Sequence, residues 1–185
     1  MDPLQNIRLF FYRNELKKRL KQQARKKSPK RVNLENAKVI GILFDATDLK
    51  TRDTVLAYAK ELKNQNKKIC LLGFFDNKVD SENYTFEAFN RKNIDWAFRP
   101  KGENVETFIN NELDILIHVD TQSNLQAQYI CALSNAKLKV GPVSEHIFCY
   151  DLMIDASKIK QLKHFIQQIE FFLKKTNIRH EPAAI

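Results

Sequence analysis

Residues 39–75 read VIGILFDATDLKTRDTVLAYAKELKNQNKKICLLGFF, and three patterns follow one another along them. Val39 to Phe44 is an unbroken apolar run, Thr51 to Gln65 has helical spacing, and Lys68 to Phe75 is a second apolar run. A strand that is apolar on both of its faces must be covered on both, which is the condition of strands in a parallel sheet flanked by helices. The stretch therefore predicts strand, helix, strand.

The same alternation continues downstream. A helix over Val105 to Asn111 leads into the run Ile115 to Val119, and a helix over Leu125 to Ser134 precedes a short strand at Leu138 to Gly141. A last strand, Leu152 to Ile154, feeds a helix over Lys158 to Lys175 whose Ile159, Leu162, Phe165, Ile166, Ile169 and Leu173 share one face. Asp76 to Arg99 is the least periodic part and has room for an edge strand or hairpin. The expectation is an α/β fold, Rossmann-like or flavodoxin-like, with a mostly parallel sheet and helices on both faces.

Upstream, Pro3 to about Lys27 has no internal Gly or Pro and predicts one long helix, closed at Ser28-Pro29. Leu4, Ile7 and Phe11 lie on one side of it and Leu9, Leu16 and Leu20 on nearly the opposite one, so the first turns are expected to dock and the distal half to project. The charge is concentrated here. Residues 1–31 carry Arg8, Arg13, Lys17, Lys18, Arg19, Lys21, Arg25, Lys26, Lys27, Lys30 and Arg31 against Asp2 and Glu15, which accounts for the whole net charge of +9. Residues 32–185 are formally neutral and, at roughly 150 residues, have the size of one domain. The chain is thus expected to divide into a basic helical arm, 1–31, and a single α/β domain, 32–185.

Cys70, Cys131 and Cys149 are widely spaced, odd in number and set in apolar surroundings, which reads as reduced core thiols. The short run Leu9 to Tyr12 precedes the charges instead of following them, unlike a secretory signal, and no stretch approaches the ~20 apolar residues of a membrane span. A soluble, cytoplasmic protein is expected.

Several predicted strands end in Asp: Asp45, Asp76, Asp120 and Asp155. Ligands of open parallel sheets bind beyond those strand ends, so Asp45, Asp48, Asp76 and Asp120 are candidates for a polar metabolite or Mg²⁺, which prefers hard oxygen ligands. The same residues suit turns and helix caps, as do Ser123 and Ser157, and that reading is the stronger because no second signal of catalysis accompanies them. A phosphate cradle is missing: Asp45-Ala-Thr-Asp48 follows the first strand with no Gly-rich loop, and the chain has four Gly in all. His118, His146, His164 and His180 lack a nucleophile at a recognisable spacing, and His118 reads as a core histidine. Trp96 beside Phe98 and Arg99 suits base stacking, and suits packing better.

Nine net charges in 31 residues call for a polyanion. Arg13, Lys17, Lys18, Arg19, Lys21, Arg25, Lys26, Lys27, Lys30 and Arg31 are the candidate phosphate contacts, with RNA favoured over DNA for want of a DNA-reading motif. The function expected from the residues is non-catalytic RNA binding or ribosome association, with no cofactor required. A Mg²⁺- or metabolite-binding domain is the first alternative. A peripheral adaptor on an anionic membrane surface is the second, because Leu4, Ile7, Phe10 and Phe11 precede the basic run.

Two resemblances accompany this reading. Asp114-Ile-Leu-Ile-His-Val-Asp120, Leu125 to Leu133 and Ala136-Lys-Leu-Lys-Val-Gly141 resemble a strand–helix–strand of the acceptor-side domain of heptosyltransferase-like glycosyltransferases. That likeness implies the fold and not the activity, which needs a second Rossmann-like domain. Asn36-Ala-Lys-Val-Ile-Gly-Ile-Leu-Phe-Asp-Ala-Thr-Asp48, Gly73-Phe-Phe-Asp76 and Tyr150-Asp-Leu-Met-Ile-Asp155 resemble an uncharacterised family of small Bacteroidota proteins, which implies a bacterial setting and carries no site residues.

Overall fold

The architecture is taken from a computed structural model that describes residues 3–22, 32–78, 84–144 and 148–175. Helix α1 (Pro3–Gln22) comes first, followed by β1 (Val39–Asp45), α2 (Leu49–Asn64) and β2 (Lys68–Phe75). The irregular stretch supplies an edge strand, β3 (Glu87–Asn90), and a 3₁₀ turn at Arg91–Asn93. Then come α3 (Glu103–Asn110), β4 (Ile115–Val119), α4 (Leu125–Leu133), β5 (Leu138–Pro142), β6 (Leu152–Ile154) and α5 (Leu162–Lys175).

All six strands are parallel, in the order β3-β2-β1-β4-β5-β6. This is the Rossmann order, and it decides between the two expected topologies. β1 and β4 lie at the centre, Ile40 opposite Ile115 and Phe44 opposite Val119, and their apolar runs are buried almost throughout.

Alternation along the strands separates two cores. Ile40, Ile42 and Phe44 of β1 meet α2 (Val55, Tyr58, Ala59, Leu62) and α5 (Phe165, Ile166, Ile169, Leu173) on one face. Leu43, Leu72 and Leu116 meet α3 (Val105, Phe108, Ile109) and α4 (Ala127, Ile130, Leu133) on the other. Gly41 points toward this second layer, where a Cβ would come within 2.4 Å of Leu113. Tyr12 and Leu16 of α1 are buried in the same layer. Among the described residues no helix is long and apolar enough to cross a membrane.

Candidate functional site

Helix α1 lies on α3 and α4 through a face built at i, i+4 spacing. Tyr12 and Leu16 are each only 2% exposed, and the Tyr12 hydroxyl donates to the Leu125 carbonyl at 2.8 Å. One turn on, the Arg19 guanidinium forks onto both oxygens of Glu106 at 3.1 and 3.0 Å and also donates to the Tyr129 hydroxyl at 3.0 Å. Burial pulls the Arg19 pKa down, but the hydrogen bonds to Glu106 and Tyr129 outweigh it, so the cation is held more firmly than an ordinary arginine. At the other end, Arg8 lies over the Phe98 ring, 3.8 Å from its centre, and its Nε donates to the Trp96 carbonyl.

This corrects the expected docking mode. The middle and last turns dock, whereas Leu4 (58% exposed), Ile7 (51%), Phe10 (59%) and Phe11 (46%) face solvent. An apolar-only count misses a docking face made of Tyr and Arg, whose ring and stem bury while the polar tip finds a partner. The outward face is consequently mixed, with Ile7, Phe10 and Phe11 followed by Arg13, Lys17, Lys18 and Lys21, all exposed. Of the ten candidate phosphate contacts, these four are open, Arg19 is bound to Glu106, and Arg25, Lys26, Lys27, Lys30 and Arg31 lie outside the described residues.

The strand-end carboxylates are occupied mainly by their own loops. Asp45 accepts the Thr47 N–H at 2.7 Å, Asp48 caps α2 through the Thr51 N–H at 2.8 Å, and Asp155 accepts the Ser157 N–H at 2.8 Å. Asp76 forms a two-point ion pair with Arg91, at 2.5 and 2.9 Å, which holds its carboxyl below the usual range. Asp120 accepts the Gln122 N–H at 3.1 Å, yet burial and then the charge of Asp45 push its pKa up. The fold therefore draws Asp45 and Asp120 toward each other at the ends of β1 and β4, where the strand order reverses. Among the described residues no group of three or more His, Cys, Asp or Glu is placed to hold a metal ion.

Among the described residues there is only a small surface dent beside Asp45, lined mostly by apolar side chains such as Leu43, Phe74 and Phe89, with His118, Asn124 and Gln126 among them. His118 is fully buried, its Nδ1 2.8 Å from the Tyr150 hydroxyl, which also lies 3.2 Å from Ser123 Oγ. Gly141 makes this network possible, since a Cβ there would stand 2.4 Å from the Tyr150 ring. Burial drives His118 down to about 3 and drives the Tyr150 hydroxyl up, so neither exchanges a proton near neutrality. Burial likewise raises the thiols of Cys70 and Cys131, and none of the three cysteines is in a disulfide. His118 is a core histidine as the sequence indicates, and its partner Tyr150 lies just before β6, outside any periodic run of the sequence. His164 is exposed on α5, and His146 and His180 lie outside the described residues.

Comparison with known proteins adds the family. Residues 8–176 match the model of a family of unknown function, DUF6913. The chain belongs to that family. The matched span takes in the docking face of α1 as well as the sheet. No curated protein matches the sequence. Among solved structures, an exopolyphosphatase-related protein from Bacteroides fragilis is similar, with a TM-score of 0.50 at 14% identity over 76% of this chain. This DUF6913 chain spans 41% of that protein's length, and at such low identity the likeness concerns the fold alone.

Proposed function

We propose that the protein binds RNA without catalysing a reaction, through the outward basic face of α1, with the ribosome as one setting for that RNA in a bacterial cytoplasm. One observation carries the reading: the helix is fixed to its domain by Tyr12, Leu16 and the Arg19–Glu106 pair, which leaves Arg13, Lys17, Lys18 and Lys21 turned to solvent. A cation in a rigid helix is already positioned when a phosphate arrives, and each one neutralised releases condensed counterions. Arg25, Lys26, Lys27, Lys30 and Arg31 extend the same charge along the sequence. Phosphate contacts give affinity and register without base identity, so any choice of RNA comes from the surface of the body.

The strand-end carboxylates support a Mg²⁺ or metabolite reading less well, because most of their oxygens already accept hydrogen bonds from the protein.

Charge neutralisation in the intact chain is the appropriate test, since deleting residues 1–31 would also remove Tyr12 and Leu16 from the core. Replacing Arg13, Lys17, Lys18 and Lys21 together by Gln should weaken RNA binding and reduce the slope of log K against log salt by roughly 3, at about 0.7 per phosphate contact on a single strand. An unchanged slope in the quadruple variant would reject the proposal.

A further inference from the structure

We infer that Trp96 and Phe10 form a base-stacking platform, so that the RNA bound by this protein is single-stranded where it crosses α1. The inference rests on the RNA reading above and starts from a strained turn. Phe98 has φ 62°, a left-handed conformation that bulky side chains rarely adopt. Its neighbours hold it there. The Asp95 carboxylate accepts the N–H groups of Ala97 at 2.9 Å and Arg99 at 3.1 Å, and its second oxygen accepts Arg99 Nε at 2.8 Å. The Phe98 N–H returns to the Asp95 carbonyl at 3.0 Å.

The turn buries Ala97 and packs Phe98 on the second core, and leaves Trp96 outside it. Trp96 is 53% exposed, and its backbone carbonyl is held by Arg8. Its ring meets Phe11 edge-on at 5.1 Å, and Phe11 meets the exposed Phe10 edge-on at 5.8 Å. The strain itself serves Phe98, whose ring packs against the second core under Arg8, and the same turn leaves the Trp96 ring at the surface beside α1. Here the result is a row of aromatic rings whose orientation is set by both α1 and the body.

The row is continuous with the basic stripe. Phe10, Lys17 and Lys21 fall on one line of α1, and Phe11 and Lys18 on the adjacent one. Seven residues of helix advance about 10 Å, a distance that long lysine side chains help to span. Rings that offer stacking faces beside ammonium groups that neutralise phosphates are the two components of a single-strand binding surface. A duplex has its base faces stacked internally and could use only the lysines. Leu4 and Ile7 would also suit a lipid surface, but insertion into lipid does not need a ring held in place, as Trp96 is by Arg8 on its carbonyl and by Phe11 against its ring.

Trp96 is the only tryptophan in the chain, so its emission reports on the platform directly. The intact protein is titrated with an unstructured single-stranded oligonucleotide, a duplex of the same length, inorganic polyphosphate and phosphatidylglycerol vesicles. Stacking predicts a roughly twofold or greater loss of Trp96 emission with the single strand alone, and a roughly tenfold loss of single-strand affinity in Trp96→Ala, read by anisotropy of a labelled oligonucleotide. Trp96→Phe should restore part of that affinity, while polyphosphate binding stays unchanged in both variants. Equal binding of single strand, duplex and polyphosphate with no quenching would overturn the platform and leave the RNA reading standing. Failure to bind any nucleic acid would overturn both. A blue-shifted emission with vesicles and no response to the oligonucleotide would assign the face to lipid and overturn the inference.

Discussion

His118 is neutral in the folded protein because a charged imidazole inside the second core would have no solvent and no counter-charge, and its pKa is driven to about 3 by burial. In the unfolded chain the same ring titrates near 6.5. The depressed native value means that the stabilisation is fully present above about pH 6.5 and is lost as pH falls toward 3, since below 6.5 the unfolded state takes up a proton that the native state refuses. Between pH 6.5 and pH 5 the loss amounts to about 2 kcal/mol. Asp76, held low by Arg91, and Asp155, held low by the Ser157 N–H, give up their contributions only below the ordinary aspartate value of 3.8, in a separate window. Urea melts of wild type and His118→Gln between pH 7.5 and 4.5 should therefore diverge in slope, the variant losing less stability over that interval. Parallel curves would mean that His118 does not titrate on unfolding. The residue type and its strand were readable from sequence, but Tyr150 and Ser123 were not, because their meeting with His118 depends on two loops brought to one sheet edge. For Asp48 the cap was legible from its place before a helix. The approach of Asp120 to Asp45 required the strand order.

At the scale of elements, β2, β4 and β6 occupy the ranges that their apolar runs predict, and α5 buries the face that its spacing predicts. Periodicity worked there because those surfaces are built mainly from aliphatic and Phe side chains. It failed for α1, where the docking line runs Arg8, Tyr12, Leu16 and Arg19, and the residues that looked like an anchor are the exposed ones. The packing energy of this helix is concentrated in two side chains. Leu16→Ala removes a buried branched chain from the second core and should cost about 2–4 kcal/mol. Arg19→Met loses an ion pair that solvent partly reaches and should cost about 1 kcal/mol or less. Urea midpoints of the two variants give the order directly; a larger loss for Arg19→Met would mean that the guanidinium, and not the apolar face, attaches α1.

For the whole molecule, the sequence established alternating strands and helices without deciding their order. The crossovers from β2 to β3 and from β5 to β6 contain no α-helix among the described residues, so no β-α-β unit marks β3 or β6 as sheet members. From β3 the chain returns through α3, past β2 and β1, to start β4 beside β1, and this reversal creates the Rossmann order and its switch point. The same layering bears on cooperativity. Charge divides the chain into a basic arm and a neutral body, yet Tyr12 and Leu16 pack in one cluster with Leu43 of β1, Leu72 of β2 and Leu116 of β4. Releasing α1 would open that cluster to water, so its loss and the loss of the sheet should form one transition. Trp96, edge-on to Phe11, reports on the helix contact, and far-UV ellipticity reports on all the helices and strands. In urea the two signals are expected to superimpose with one midpoint. A change in Trp96 emission at lower urea than the loss of ellipticity would show α1 leaving first, as an appendage whose electrostatics are separate from the fold.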